Sequence, residues 1–267
     1  MEWRDEGILL WVRRHGEANV IVEALTAAHG RHAGLVRGGA SKATASILQP
    51  GAQLALEWKA RLPEHLGNYK VELLRSRAAS IMSSREALAA LNVISAMTVQ
   101  FLPEREPNSQ IYEMTVELVD DLGSADPHWP VRYALWELQL LEGLGFGLDL
   151  TSCASTGRTE DLVYVSPRSG RAVCRAAGAP FADRMLPLPS FLTGTAQPGI
   201  GDVREALRMT GYFFENWVCA NFEVEKMPDA RARLLRLMQE MELVYDDDQG
   251  KVEAQMKRDE PWPPGGW

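Results

Sequence analysis

The hydrophobic period of this chain changes once, near Ser83, and that change constrains the fold more than any single motif. Before it, short β-branched and apolar runs are separated by turn residues; after it, apolar residues recur three and four positions apart. The first pattern makes strands, whose side chains alternate between two faces. The second makes helices that bury one stripe. Strands gathered in one half and helices in the other define an α+β chain, not an alternating α/β one.

Gly7–Arg13 and Ala18–Leu25 read as strands joined by a hairpin turn at Arg14-His15-Gly16-Glu17. Thr26–Gly30 is a second turn and Arg31–Arg37 a third strand. Ser46–Gln49 fits a short helix closed by Pro50-Gly51. Gln53–Arg61 alternates, with Leu54, Leu56 and Trp58 on one face and Glu57 and Lys59 on the other. Tyr69–Arg75 follows the turn at Pro63–Asn68 as the last strand. Five short antiparallel strands with an interposed helix predict a small closed barrel of the oligonucleotide-binding (OB) type over residues 1–80.

The second half reads as a helical domain over 81–243. Leu88, Leu91, Ile94 and Thr98 form a stripe behind an N-cap at Ser83 or Ser84, and Pro103 stops it. Asn108 caps a helix whose Ile111, Met114, Leu118 and Leu122 share a face. Pro130 opens a third helix through Leu144. Asp202–Phe222 is a fourth, with Val203, Leu207, Thr210, Phe214 and Trp217 at core spacing, and Asp229–Met241 a fifth. An irregular insert spans about 148–200. Residues 244–267, with Asp246-Asp247-Asp248 and Pro261–Trp267, lack a periodic apolar face and are expected to be disordered.

Charge divides along the same line. The net charge of −8 conceals residues 1–80, with 11 Lys+Arg against 8 Asp+Glu and four of the five histidines. A basic block in an acidic chain fits a surface for nucleic acid. No stretch approaches the roughly 18 apolar residues a membrane helix needs. The first residues lack a signal-peptide layout, and three cysteines form no disulfide framework, so the expected setting is the cytoplasm.

Catalytic motifs are missing. Gly143-Leu144-Gly145-Phe146-Gly147 ends a helix instead of following a strand, so it reads as a C-cap and not a dinucleotide loop. There is no phosphate loop, HExxH or GxSxG pattern. His15, His29, His32 and His65 fall at expected turns and strand edges, as solvated or phosphate-facing groups. Cys153 and Cys174 are spaced like the halves of a zinc ribbon, but the second position of each pair is Thr156 and Ala177. Two thiols do not complete a four-ligand site, so no metal and no cofactor is expected. Cys219 reads as a small core residue.

Arg31, Arg37, Lys42, Lys59 and Arg61 are therefore the candidate nucleic-acid-binding set. Trp3, Trp11, Trp58 and Tyr69 either stack on bases or fill the barrel core. The glycines of Thr26–Lys42 are expected to let the backbone come close to a ligand.

These segments together resemble the bacterial RecO family. The similarity is carried by Trp3–Leu9 with Gly16-Glu17, Thr26–Arg31, Leu35–Gly38, Ser41-Lys42 and Leu48–Gly51. Leu135–Glu142 with Gly145, and Tyr164–Pro167 with Ser169-Gly170, continue it to about residue 240. The resemblance implies a non-catalytic role in recombinational DNA repair: binding single- and double-stranded DNA, annealing complementary strands, and helping load RecA on coated single strands. It implies as partners RecR and the acidic C-terminal tail of the single-strand-binding protein. An acidic tail with an apolar end needs an apolar pocket rimmed by basic groups, for which Arg132, Arg204 and Arg208 are the candidates. Some family members carry a four-cysteine zinc site, of which Cys153 and Cys174 would be remnants. The rival readings are a generic single-stranded nucleic-acid binder, a cysteine-dependent enzyme and a protein-docking module.

Overall fold

The computed structural model describes residues 1–194, 197–239 and 241. Strands β1 (Glu2–His15), β2 (Asn19–Thr26), β3 (Gly30–Val36), β4 (Gln53–Lys59) and β5 (Asn68–Arg75) close a barrel in the order β1-β2-β3-β5-β4. β1 is long because it serves two partners. Its first half pairs with β4, from Glu2↔Lys59 to Ile8↔Gln53, and its second with β2, from Gly7↔Thr26 to His15↔Asn19. A bulge between Leu9 and Trp11 adds the twist that closure requires. Closure is completed by a short parallel pair, Leu35↔Asn68 and Val36↔Tyr69. Alternation places Leu9, Val20, Val22, Leu54, Leu56, Trp58 and Tyr69 in the barrel core.

Two local expectations move. β1 begins at Glu2, ahead of the apolar run, because the polar residues before Gly7 face outward while their backbone pairs with β4. Helix α1 spans Lys42–Ile47 instead of Ser46–Gln49, since the Ser41 hydroxyl accepts the Thr44 N–H and starts the helix earlier.

In the second half, the short α2 (Ala78–Ser83) precedes α3 (Arg85–Phe101), α4 (Ser109–Ser124) and α5 (Trp129–Gly143). Ser84 and Asn108 cap α3 and α4, accepting the N–H groups of Ala87 and Ile111, and Pro130 lies in the first turn of α5. Leu91, Ile94 and Thr98 are buried as expected, but Leu88 is exposed; Ala87, Ala90, Met97 and Phe101 complete the buried face. Among its described residues the insert carries short regular elements within turns and bends. β6 (Leu162–Val165), β7 (Ala172–Cys174) and β8 (Leu186–Pro187) form an antiparallel sheet in the order β7-β6-β8, followed in chain order after β7 by the one-turn α6 (Arg175–Gly178). The expected helix 202–222 is α7 (Ile200–Phe213) running into a π-helical turn at Phe214–Val218. A further helix occupies 229–239. The acidic, Trp-ended segment 244–267 lies outside the described residues.

One buried charge network crosses the helical core. Glu137 on α5 is fully buried and accepts from Arg231 at 2.7 and 2.9 Å, and from the hydroxyls of Tyr133 and Thr210. The same core takes in Leu10 and Leu25 from the barrel, so the two halves share apolar burial. Arg77 ties them further, donating to the Gly51 carbonyl and the Gln53 side chain, both at 3.1 Å, and to Asp120 on α4.

Candidate nucleic-acid interface

The register of β1, β4 and β5 builds a charged surface from residues distant in sequence. Arg4 stands opposite Glu57, and Glu57 opposite Lys70. The Glu57 carboxylate lies 2.8 Å from Lys59, 3.1 Å from Arg4 and 3.9 Å from Lys70. The hydrogen bond from Lys59 lowers the Glu57 carboxyl from its ordinary value, and Lys70 and Arg4 act in the same direction. Lys59 is raised in return by Glu57 and Glu2. Three cations thus share one carboxylate and keep their side chains at the surface.

Next to them is an open groove of about 570 Å³ lined by Met1, Glu2, Lys59, Ala60, Arg61 and Asn68. Arg37, at the exit of β3, donates to the Asn68 side chain at 3.0 Å and reaches the same place. Asn68 is the hinge of this arrangement because its backbone pairs with both Lys59 and Leu35. The fold therefore brings Arg37, Lys59 and Arg61 together, although the first two lie far apart in sequence. β4 ends at Lys59, which leaves Arg61 on the following loop.

The other two candidates lie elsewhere. Lys42 is exposed at the start of α1 and has no ion pair among the described residues. Arg31 turns inward. Its side chain is 11% exposed, pairs with buried Glu23, and donates to the Leu102 carbonyl at 3.0 Å. The glycine segment is also tighter than expected. Gly38 donates to Asn19, Ala40 to the Ala18 carbonyl and Ser41 to the Gly38 carbonyl, all at 3.0–3.1 Å. The loop is stitched to the first hairpin, and Gly38 earns its place through a left-handed φ of 67°.

The aromatic candidates are mostly core. Trp58 and Tyr69 are buried, and Trp58 donates to the Leu66 carbonyl at 2.9 Å. Trp11 packs against the helical core. Trp3, half-buried like Trp11, is stacked on His29 at 4.0 Å and on Trp58 at 5.8 Å, with His29 held by Asp5 at 3.2 Å. His15 and His65 are exposed, but His32 is buried, 3.1 Å from the Tyr69 hydroxyl. Burial, and then the Arg105 charge, lower His32 to about 4, so it is a neutral core group and faces no phosphate.

Arg132 is held by Glu117 at 2.8 Å and by Asp121 on α4. Burial raises the Asp121 carboxyl despite that pairing. Arg204 and Arg208 lie a turn apart on α7, with Arg208 exposed. Cys153 and Cys174 do meet: the Cys174 N–H points to the Cys153 sulfur at 3.3 Å, and the Thr156 hydroxyl lies 3.7 Å from the Cys174 sulfur. Hydrogen bonds from the Cys174, Ser155 and Thr156 groups outweigh burial and bring Cys153 down to about 6. Among the described residues no group of three or more His, Cys, Asp or Glu is placed to hold a metal. No helix among them is long and apolar enough to cross a membrane.

Sequence reasoning missed Arg4 and Lys70, which only the strand register could reveal, and Arg105, for which no local pattern exists.

A five-stranded OB-type barrel with a cationic groove, mated to a helical half, defines a nucleic-acid-binding class of protein. The family model described as "Recombination protein O N terminal" matches residues 1–77, and "Recombination protein O C terminal" matches 82–220. The chain is 54% identical over 238 residues to the DNA repair protein RecO of Cereibacter sphaeroides, covering 89% of this chain and 98% of that one. It is 52% identical over 235 residues to the DNA repair protein RecO of a Ruegeria species (88% and 97% covered) and 47% to that of a Jannaschia species (88% and 95%). The chain belongs to the RecO family of DNA repair and recombination proteins.

Proposed function

We propose that this chain is a non-catalytic mediator of DNA repair and homologous recombination, acting in the bacterial cytoplasm at the nucleoid. It binds single- and double-stranded DNA through the barrel, residues 1–80, and anneals complementary strands. With RecR it assists RecA loading on strands coated by the single-strand-binding protein, whose acidic tail docks on the helical part, 81–243. The observation that carries the reading is the groove of Arg37, Lys59 and Arg61, flanked by Arg4 and Lys70. Two polyanionic strands repel, and a row of surface cations screens that repulsion without fixing a base sequence. Glu57 tempers the charge, so strands are held and still released to pair. Lys42, exposed at the start of α1, offers a separate surface cation, whereas Arg31 supports the barrel from within. For the acidic tail, Arg208, exposed on α7, is better placed than Arg132, which is held by two carboxylates; Arg204 lies a turn from it on the same helix.

A salt titration of single-stranded DNA binding tests the reading. Each lost phosphate contact flattens the log–log slope by about 0.7, so the triple variant Arg37→Ala, Lys59→Ala, Arg61→Ala should lose about 2 units and anneal more slowly. An unchanged slope and annealing rate would refute the placement. Equal annealing of RNA strands would favour the generic binder instead.

A further inference from the structure

After α3, residues 102–106 of the α3–α4 connection reach back to the barrel at β3. Glu104 forms a parallel bridge with Arg31, and the Arg105 N–H donates to the Arg31 carbonyl at 2.8 Å. The approach is so close that a Cβ on Gly30 would lie 2.0 Å from the Glu106 carbonyl oxygen. Arg105 has a left-handed φ of 63°, a conformation a long side chain adopts only when its surroundings impose it. What that backbone achieves is the aim of the guanidinium. Its two terminal nitrogens donate to the carbonyls of Pro63 and, at 3.0 Å, His65, both on the β4–β5 loop. Its Nε lies buried with no hydrogen-bond partner, so the fork is committed to those two carbonyls.

That loop carries Arg61 and begins where the groove residues Lys59 and Ala60 end. Its other carbonyl anchors come from within the barrel: Trp58 to Leu66, and Leu35 to Gly67 at 3.1 Å. Its outer part, 61–66, is exposed throughout. A flexible exposed loop would hold Arg61 loosely. The clasp from the helical half orders it before DNA arrives.

We propose that Arg105 is a positioning residue for the DNA groove, through which the helical half sets the place of the β4–β5 loop. This inference rests on the interface proposed above. It makes barrel affinity sensitive to whatever shifts residues 102–106, including a partner bound near the ends of α3 and α4.

The test uses the full chain with Arg105→Ala, Arg105→Lys and Arg105→Gln, thermal unfolding serving to confirm that each is folded. Lysine keeps the charge but replaces the planar two-nitrogen fork by a single ammonium on a flexible stem, and lysine and glutamine keep the experiment open if alanine fails to fold. Hydrogen exchange over residues 60–67 should accelerate in all three. Affinity for oligo-dT should fall about tenfold, the cost of re-ordering one loop residue on binding. The salt slope should stay at the wild-type value, because Arg105 itself meets no phosphate. A slope flattened by about 0.7 would make it a direct contact and overturn the positioning role. Unchanged loop exchange, or faster exchange with unchanged affinity, would also overturn it. If the wild-type protein showed no salt-dependent DNA binding, the interface reading would fall and the coupling with it; accelerated exchange would then mark a purely structural clasp.

Discussion

Replacing Arg231 by Met isolates the energetic consequence of the buried network. Arg231 is almost fully buried and supplies two hydrogen bonds to Glu137 and one to the Leu207 carbonyl. Methionine keeps most of the apolar stem but leaves a fully buried carboxylate with only the Tyr133 and Thr210 hydroxyls as donors. Breaking a buried pair in this way costs about 3–5 kcal/mol. For a chain of this length each kcal/mol moves the midpoint by about 2–4 °C, so Tm should fall by about 6–20 °C. The double variant Arg231→Met, Glu137→Gln removes both charges while retaining an amide for the two hydroxyls. It should lie within about 2 kcal/mol of wild type, the desolvation penalty having been lifted. Urea unfolding followed by tryptophan fluorescence, run as a double-mutant cycle, gives both numbers. A single variant costing under about 1 kcal/mol, or a double variant as damaged as the sum, would refute the reasoning.

Further outcomes follow from other parts of the molecule. Gly30→Ala combines a left-handed φ of 60° with a clash at Glu106, and should destabilise by on the order of 1–3 kcal/mol or more; an unchanged urea midpoint would contradict the close approach. Asn108→Ala removes the α4 cap and should cost about 1 kcal/mol, read as a drop of a few degrees in Tm. His32 titrates at about 4 in the folded chain against 6.5 ordinarily, so the unfolded chain takes the proton first as pH falls. Stability should therefore decline from about pH 6.5 towards pH 4, and His32→Gln should flatten that stretch of the urea-midpoint profile.

The barrel was legible chiefly in β4, which alternates along its length with Leu54, Leu56 and Trp58 buried on the inward face. Caps announced α3 and α4, since Ser84 and Asn108 precede a helical stripe. The insert was harder to read because its strands are only two to four residues long, too short to establish a period. In the interface, Arg37, Lys59 and Arg61 were named from sequence, but their convergence depends on the β3–β5 closure at Asn68. Arg31 misled for the opposite reason. A strand arginine reads as a surface cation, and its burial depends on Glu23 and on Leu102, a residue from the other half of the chain. Arg105 was invisible because backbone strain and long-range carbonyl contacts leave no mark on local composition.

Leu10 and Leu25 have a consequence for how the molecule is made. During synthesis the five strands precede the helical half, and the barrel is complete in sequence by Arg75. Its outer face still presents these two leucines to water, and its β4–β5 loop lacks Arg105, until α3 and the segment after it have been synthesised. The newborn barrel thus carries an apolar patch that only its own downstream half covers. A message truncated after residue 77 would yield an aggregating fragment and not a working half-protein.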